Sequence, residues 1–157
     1  MIRLLASLLF IAGITAASPV ARADEIQSSA QTIYIVDFLT GAVMMDRNSM
    51  ARIEPASLTK MMTAYLVFED LKKGKVKLTD SFTVSERAWS TQGSKMFVEL
   101  GNSIKLEDLL RGIIVQSGND ACVVVAEGLA GSEEAFAERM NAKAKEFGLS
   151  GTHFVNA

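Results

Sequence analysis

Two polar side chains stand at the head of the most apolar helical run in the chain. Ser57 and Lys60 lie three residues apart in "EPASLTK" (54–60), directly before "MMTAYLVFEDL". At that spacing they share one helix face. A serine hydroxyl becomes a nucleophile when a base takes its proton, and a neutral lysine amine can be that base. Leu58, Met61 and Met62 would desolvate an ammonium here, and a helix N-terminus disfavours positive charge. The same N-terminus aims free N–H groups at an incoming carbonyl, which suits an oxyanion. The alternative is a serine that caps and a lysine that reaches out to water. Among all the serines, only Ser57 has a lysine three residues on.

A second group lies in "QSGND" (116–120). It interrupts two apolar helical stretches, so a polar loop is carried on a rigid base. Ser117 could relay a proton, Asn119 could hydrogen-bond a substrate amide, and Gly118 lets a backbone approach closely. Taken alone, the tripeptide also reads as a helix-breaking turn that caps the next helix.

These residues need elements to hold them. "QTIYIVDFLTGAVMMDRN" predicts two strands, 31–37 and 41–45, joined by a turn at Leu39–Gly41. "RIEPA" predicts a loop, with Pro55 suited to a helix's first turn. A helix is expected over about 57–72, ending before Gly74. "KLTDSFTVSERAWS" and "SKMFVELGNSI" predict short strands with turns at Gly93 and Gly101–Asn102. Helices come next in "KLEDLLRGIIVQ" and in "DACVVVAEGLA", the latter stopped by Gly128–Gly131. The last, "SEEAFAERMNAKAKEFG", has Ser132 as N-cap, acids in its first turn and Gly148 just past its end. Strands first and helices later predict a mixed α/β (α+β) domain with a helical layer on a sheet.

Composition narrows the function. With 157 residues, 49% apolar and 22% charged, the chain is long enough for one domain with a real core. A net charge of −2 and no basic tract argue against a nucleic-acid partner. Residues 1–23 read as a secretory signal: Arg3, then "LLASLLFIAGITAA", then "ARA" at 21–23. The mature chain would start at Asp24 and lie outside the inner membrane. The single Cys122 sits in an apolar segment and predicts a buried packing thiol. The eight methionines, Met61 and Met62 above all, predict core filler. His153, the one histidine, predicts a packing or loop residue, and one His with one Cys argues against a metal site.

Ser57-Leu58-Thr59-Lys60 followed sixty residues on by Ser117-Gly118-Asn119 resembles the penicillin-recognising serine enzymes, whose signature is a Ser-x-x-Lys, a Ser-Asp-Asn-type tripeptide and a Lys-Thr-Gly. The surrounding stretches "PASLTKMMTAY", "GSKMFVELG", "LLRGIIVQSGNDA", "AGSEEAFAERMN" and "THFVNA" resemble the low-molecular-mass D-alanyl-D-alanine carboxypeptidases, the S11 penicillin-binding proteins. The resemblance covers about residues 30–157.

It implies a β-lactamase/transpeptidase-like fold, helices on an antiparallel sheet. It implies that Lys60 deprotonates Ser57, that Ser57 attacks the carbonyl between two terminal D-alanines of a peptidoglycan pentapeptide stem, that Ser117 passes a proton to the leaving nitrogen, and that Asn119 steadies the substrate backbone. No cofactor or metal is required. β-Lactam antibiotics would acylate the same serine. The protein would be exported to the periplasm, at the outer face of the inner membrane. Family members often carry a C-terminal β-domain and an amphipathic anchor for peripheral membrane association, neither of which lies in these residues.

One departure stands out: no Lys-Thr-Gly or Lys-Ser-Gly occurs after Ser117. The expectation is therefore that 24–157 forms the N-terminal portion of the catalytic domain, truncated before its last strands and third motif. The rival readings are a class A-like β-lactamase and a non-catalytic truncated fragment.

Overall fold

A computed structural model describes residues 27–157; the proposed signal segment lies outside them. The chain divides into two compact units, one ending at Ala51 and one spanning Arg52–Ala157.

The first unit holds an antiparallel hairpin, β1 (Ile33–Val36) and β2 (Val43–Arg47), as the β-branched run predicts. Ile33 faces Arg47, and the register shifts between Ile35 and Val36. The turn closes where the sequence places it. Asp37 accepts from the Thr40 N–H (2.7 Å) and hydroxyl (2.6 Å), and Gly41 takes a positive φ of 71°.

The second unit is mostly helical. A 3-10 turn (Ala56–Leu58) leads into α1 (Thr59–Lys72). A short antiparallel pair, β3 (Ser81–Thr83) with β4 (Ser103–Lys105), brackets α2 (Glu86–Ser90). Then come α3 (Leu106–Gln116), α4 (Asn119–Ala130) and α5 (Glu133–Glu146). Ser132 caps α5 as expected, accepting from the Ala135 N–H at 3.1 Å, and Gly148 ends it with φ 74°.

α4 is the spine of this unit. Every residue from Asp120 to Ala126 is buried, one carboxylate followed by an unbroken apolar run. One core cluster packs Val67 of α1, Ala88 of α2 and Leu106, Leu109 and Ile113 of α3 against Cys122–Val125. A second packs Met62 and Leu66 of α1 and Phe136 and Met140 of α5 against Ala126. The site-bearing ends of α1, α3 and α4 are thereby fixed to one another.

Four expectations are corrected. "KLTDSFTVSERAWS" and "SKMFVELGNSI" do hold short strands, β3 and the start of β4, but "SERAWS" is a helix, because the Ser85 hydroxyl accepts from the Ala88 N–H at 3.0 Å and so closes a first turn. "SKMFVEL" is not a strand. The N–H groups of Met96 and Val98 go to the Asp120 carboxylate on α4 instead of to a neighbouring strand. Gly128 does not stop α4 but lies inside it, with a Cβ there falling 2.3 Å from the Phe82 ring; Gly131, at φ 84°, ends the helix. Finally, α1 is buried on one side only: Met62 is in the core, whereas Met61 is 71% and Leu58 64% exposed. Met61 is therefore not core filler, and Leu58 and Met61 do not dry the surroundings of Lys60.

Candidate active site

Ser57 sits in the 3-10 turn ahead of α1, and its entry is tightly bent. Pro55 O accepts from the Leu58 N–H at 3.0 Å, and Ala56 adopts φ 47°, a left-handed conformation uncommon outside glycine. Ser57 itself is exposed, and Lys60, the second residue of α1, is half-buried. The apolar run that follows thus leaves Ser57 open to solvent and covers Lys60 only in part.

Ser117 ends α3 in a left-handed conformation, φ 56° and ψ 37°. The Gly118 N–H turns back to Gly112 O at 3.0 Å, which satisfies a last-turn carbonyl of α3. Chain reversal at this point brings Asn119 in as the first residue of α4. Two non-glycine residues at positive φ, one on each side of the site, are strain of the kind that persists where surrounding packing enforces it.

The four residues converge. The Ser117 hydroxyl donates to Ser57 Oγ at 3.0 Å. Lys60 Nζ donates to Asn119 Oδ1 at 2.7 Å. Asn119 Nδ2 in turn donates to Gln92 O at 2.8 Å. Ser57 and Lys60 border two hollows. The larger, about 610 Å³, is lined with Asn119, Glu54, Thr91, Glu133 and His153. The smaller, about 250 Å³, is lined with Ser117, Met61, Ile113 and Ile114. Ser57 thus opens on one hollow that holds Asn119 and on another that holds Ser117, with Lys60 bordering both.

Cys122 lies one turn further along α4, fully buried. Burial pushes its thiol up to about 12, the nearby Lys60 charge pulling weakly the other way. It is a packing thiol and not a competing nucleophile, as its apolar context predicts. His153 is exposed, in the loop after α5, and faces the larger hollow.

Several neighbours escape sequence reading. Glu133, in the first turn of α5, is buried against the larger hollow. It accepts from Arg87 Nε at 3.1 Å and from the Ala157 N–H at 3.2 Å. Asp120, next to Asn119, is buried outright. The signal that could have exposed it is a carboxylate opening an otherwise apolar helix, which must find donors.

Comparison with known proteins gives the class first. The fold is that of the penicillin-recognising serine peptidases. The D-alanyl-D-alanine carboxypeptidase DacD from Francisella tularensis superposes with a TM-score of 0.82 at 38% identity, over 88% of this chain and 34% of that one. Penicillin-binding protein 5 from Haemophilus influenzae gives 0.80 at 43%, over 86% and 40%. The family model for peptidase S11, D-alanyl-D-alanine carboxypeptidase, matches residues 17–157, and the chain belongs to that family. Among curated relatives, the D-alanyl-D-alanine carboxypeptidase DacF of Bacillus subtilis is 44% identical over 135 residues, 86% of this chain and 35% of the relative. DacC of Escherichia coli is 44% identical over 131 residues, 80% of this chain and 33% of the relative. The chain spans about a third of the length of the curated relatives it matches.

Proposed function

We propose that this chain supplies the acylating half of a serine-type D-Ala-D-Ala carboxypeptidase, and that the same serine binds penicillin covalently. The observation that carries the reading is the pairing of Ser117 with Ser57 at 3.0 Å beside that of Lys60 with Asn119 at 2.7 Å. A nucleophile, a candidate base, a proton relay and an amide-binding group meet at one place.

In this reading Lys60, in its neutral form, takes the Ser57 proton as Oγ attacks the carbonyl between the two terminal D-alanines of a peptidoglycan stem peptide. The tetrahedral intermediate collapses as the C–N bond breaks. Ser117 hands its hydroxyl proton to the leaving nitrogen and is reprotonated from Lys60. Asn119 hydrogen-bonds the substrate backbone and keeps the acyl group aligned. Water then hydrolyses the acyl-serine ester. A β-lactam carbonyl enters by the same attack, but its ring-opened amine stays tethered to the acyl group.

A peptidoglycan substrate calls for an enzyme outside the cytoplasmic membrane, in the periplasm at the cell wall. The apolar segment and "ARA" sequence before Asp24 support export and cleavage there.

Covalent labelling of the full-length protein by a fluorescent penicillin tests the reading. Wild type should be labelled and should release D-alanine from a D-Ala-D-Ala peptide. Ser57→Ala should do neither while remaining folded, because Ser57 is exposed and its hydroxyl caps no helix. Wild-type labelling in folded Ser57→Ala would sink the assignment of Ser57 as nucleophile.

A further inference from the structure

We propose that Asp120 is a positioning residue for this site: its buried carboxylate latches the Gln92–Val98 segment onto the start of α4, and that segment holds the Asn119 carboxamide facing Lys60. The inference rests on the peptidase reading above.

Asp120 is fully buried. A buried carboxylate must be compensated, and here backbone amides do it. Oδ1 accepts from the Met96 N–H at 3.0 Å and from the Ala121 N–H at 2.8 Å; Oδ2 accepts from the Val98 N–H at 3.1 Å. Phe97, between the two latched amides, takes φ 64°, and its side chain is 81% exposed. A bulky residue at positive φ with no packing of its own is held by its neighbours' bonds. The carboxylate supplies them.

The rest of the segment grips Asn119. Ser94 O accepts from the Asn119 backbone N–H at 2.7 Å, and Gln92 O accepts from its Nδ2 at 2.8 Å. With the NH₂ end tied to a carbonyl, Oδ1 must point the other way, which is where Lys60 Nζ stands at 2.7 Å. The fit is close throughout. Gly93, between the two gripping carbonyls, has φ 90°, and a Cβ there would lie 2.5 Å from Asn119 Nδ2. A Cβ at Gly118 would lie 3.2 Å from Met96 N and 3.0 Å from Asp120 Oδ1.

Asp120→Asn keeps the volume but replaces one acceptor oxygen by a donor. Either the Met96 or the Val98 N–H then faces an NH₂ group, and the latch opens. Gly93→Ala reaches the same carboxamide from the other end, leaving Asp120 and the core untouched.

The test is a double-mutant cycle in the full-length protein, read as the rate of acylation by a fluorescent penicillin. Asp120→Asn should slow acylation about tenfold or more on its own, and by less than about twofold in an Asn119→Ala background, because residues acting through one another are not additive. Gly93→Ala should show the same pattern. In parallel, solvent exchange of the Asn119 side-chain amide protons, followed by NMR, should accelerate in both single variants. Equal slowing in both backgrounds would mean general loosening and overturn the proposal. So would wild-type acylation and unchanged exchange in Gly93→Ala, which decides the matter if Asp120→Asn fails to fold. Wild-type protein that is never labelled would remove the peptidase reading and this inference together; labelled wild type with unaffected variants removes the inference alone.

Discussion

Lys60 Nζ donates to Asn119 Oδ1 at 2.7 Å, across 59 positions of sequence. The lysine thus leans on the residue proposed to hold the substrate, while the hydroxyl of Ser57 is paired with Ser117 at 3.0 Å. Lys60 lies in the first turn of α1 and Ser57 in the 3-10 turn just before it; Lys60 is met by the first residue of α4 and Ser57 by the residue that ends α3.

That arrangement separates two roles for Lys60. A purely structural cation would be partly replaced by arginine, which keeps the charge and much of the length. A base would not, since a guanidinium does not give up its proton near neutral pH. Lys60→Arg should therefore acylate as slowly as Lys60→Ala, about 10²–10⁴ below wild type. The check is the rate of fluorescent-penicillin labelling of each variant. A rate within about tenfold of wild type, worth only about 1.4 kcal/mol of barrier, would argue against the base role.

Acid stability should depend on Glu69. The Lys143 ammonium at 2.7 Å, and then Lys73 at 2.9 Å, hold the Glu69 carboxyl down to about 2 from its ordinary 4.5. Lys143 is raised in turn by Glu146 and Glu69. A depressed carboxyl stabilises the fold above its unfolded value and loses that contribution as pH falls through its folded one. The melting temperatures of wild type and Glu69→Gln should differ most above about pH 4.5 and converge as pH approaches about 2. Urea or thermal melts across pH 2–7 measure this, and a gap that stays constant would show that charge at Glu69 is not the cause.

Gly128 offers a test of packing. Alanine inside a helix ordinarily gains about 1 kcal/mol over glycine. Here its Cβ would meet Phe82 Cδ1 at 2.3 Å and Cγ at 2.5 Å. Overpacking of about 1–3 kcal/mol should outweigh the propensity gain, so Gly128→Ala should lower the denaturation midpoint. Trimming the ring with Phe82→Leu should make the alanine tolerable, a non-additive pair. A Gly128→Ala protein more stable than wild type would mean that β3 does not press on α4.

The legible features were those written in local spacing. Ser57 with Lys60, and Ser117 with Asn119, stand out because three-residue and two-residue intervals fix neighbours on a single turn. The β1–β2 hairpin and the spans of α3, α4 and α5 arise from alternation, capping residues and apolar runs. Error came from local patterns that are satisfied from far away. "MFVEL" has the composition of a strand, yet the N–H groups of Met96 and Val98 find the Asp120 carboxylate more than twenty residues on. Gly128 looks like a helix stop, yet it is small because Phe82 lies against it. Met61 looks like core, yet only the Met62 side of α1 meets α4 and α5.

By itself, then, the sequence determined the residue types capable of chemistry, their intervals and the helices that carry them, since backbone preference and capping act within a few residues. Only the tertiary structure decided that the left-handed turn at Ser117 would bring its hydroxyl to Ser57 from sixty positions away, and that Asn119 would be gripped by the Gln92–Ser94 backbone. The reason is physical. Those contacts exist because α1, α3 and α4 share one buried core around Val67, Ile113 and Val124. Burial of that kind fixes helix ends against one another whatever their separation along the chain.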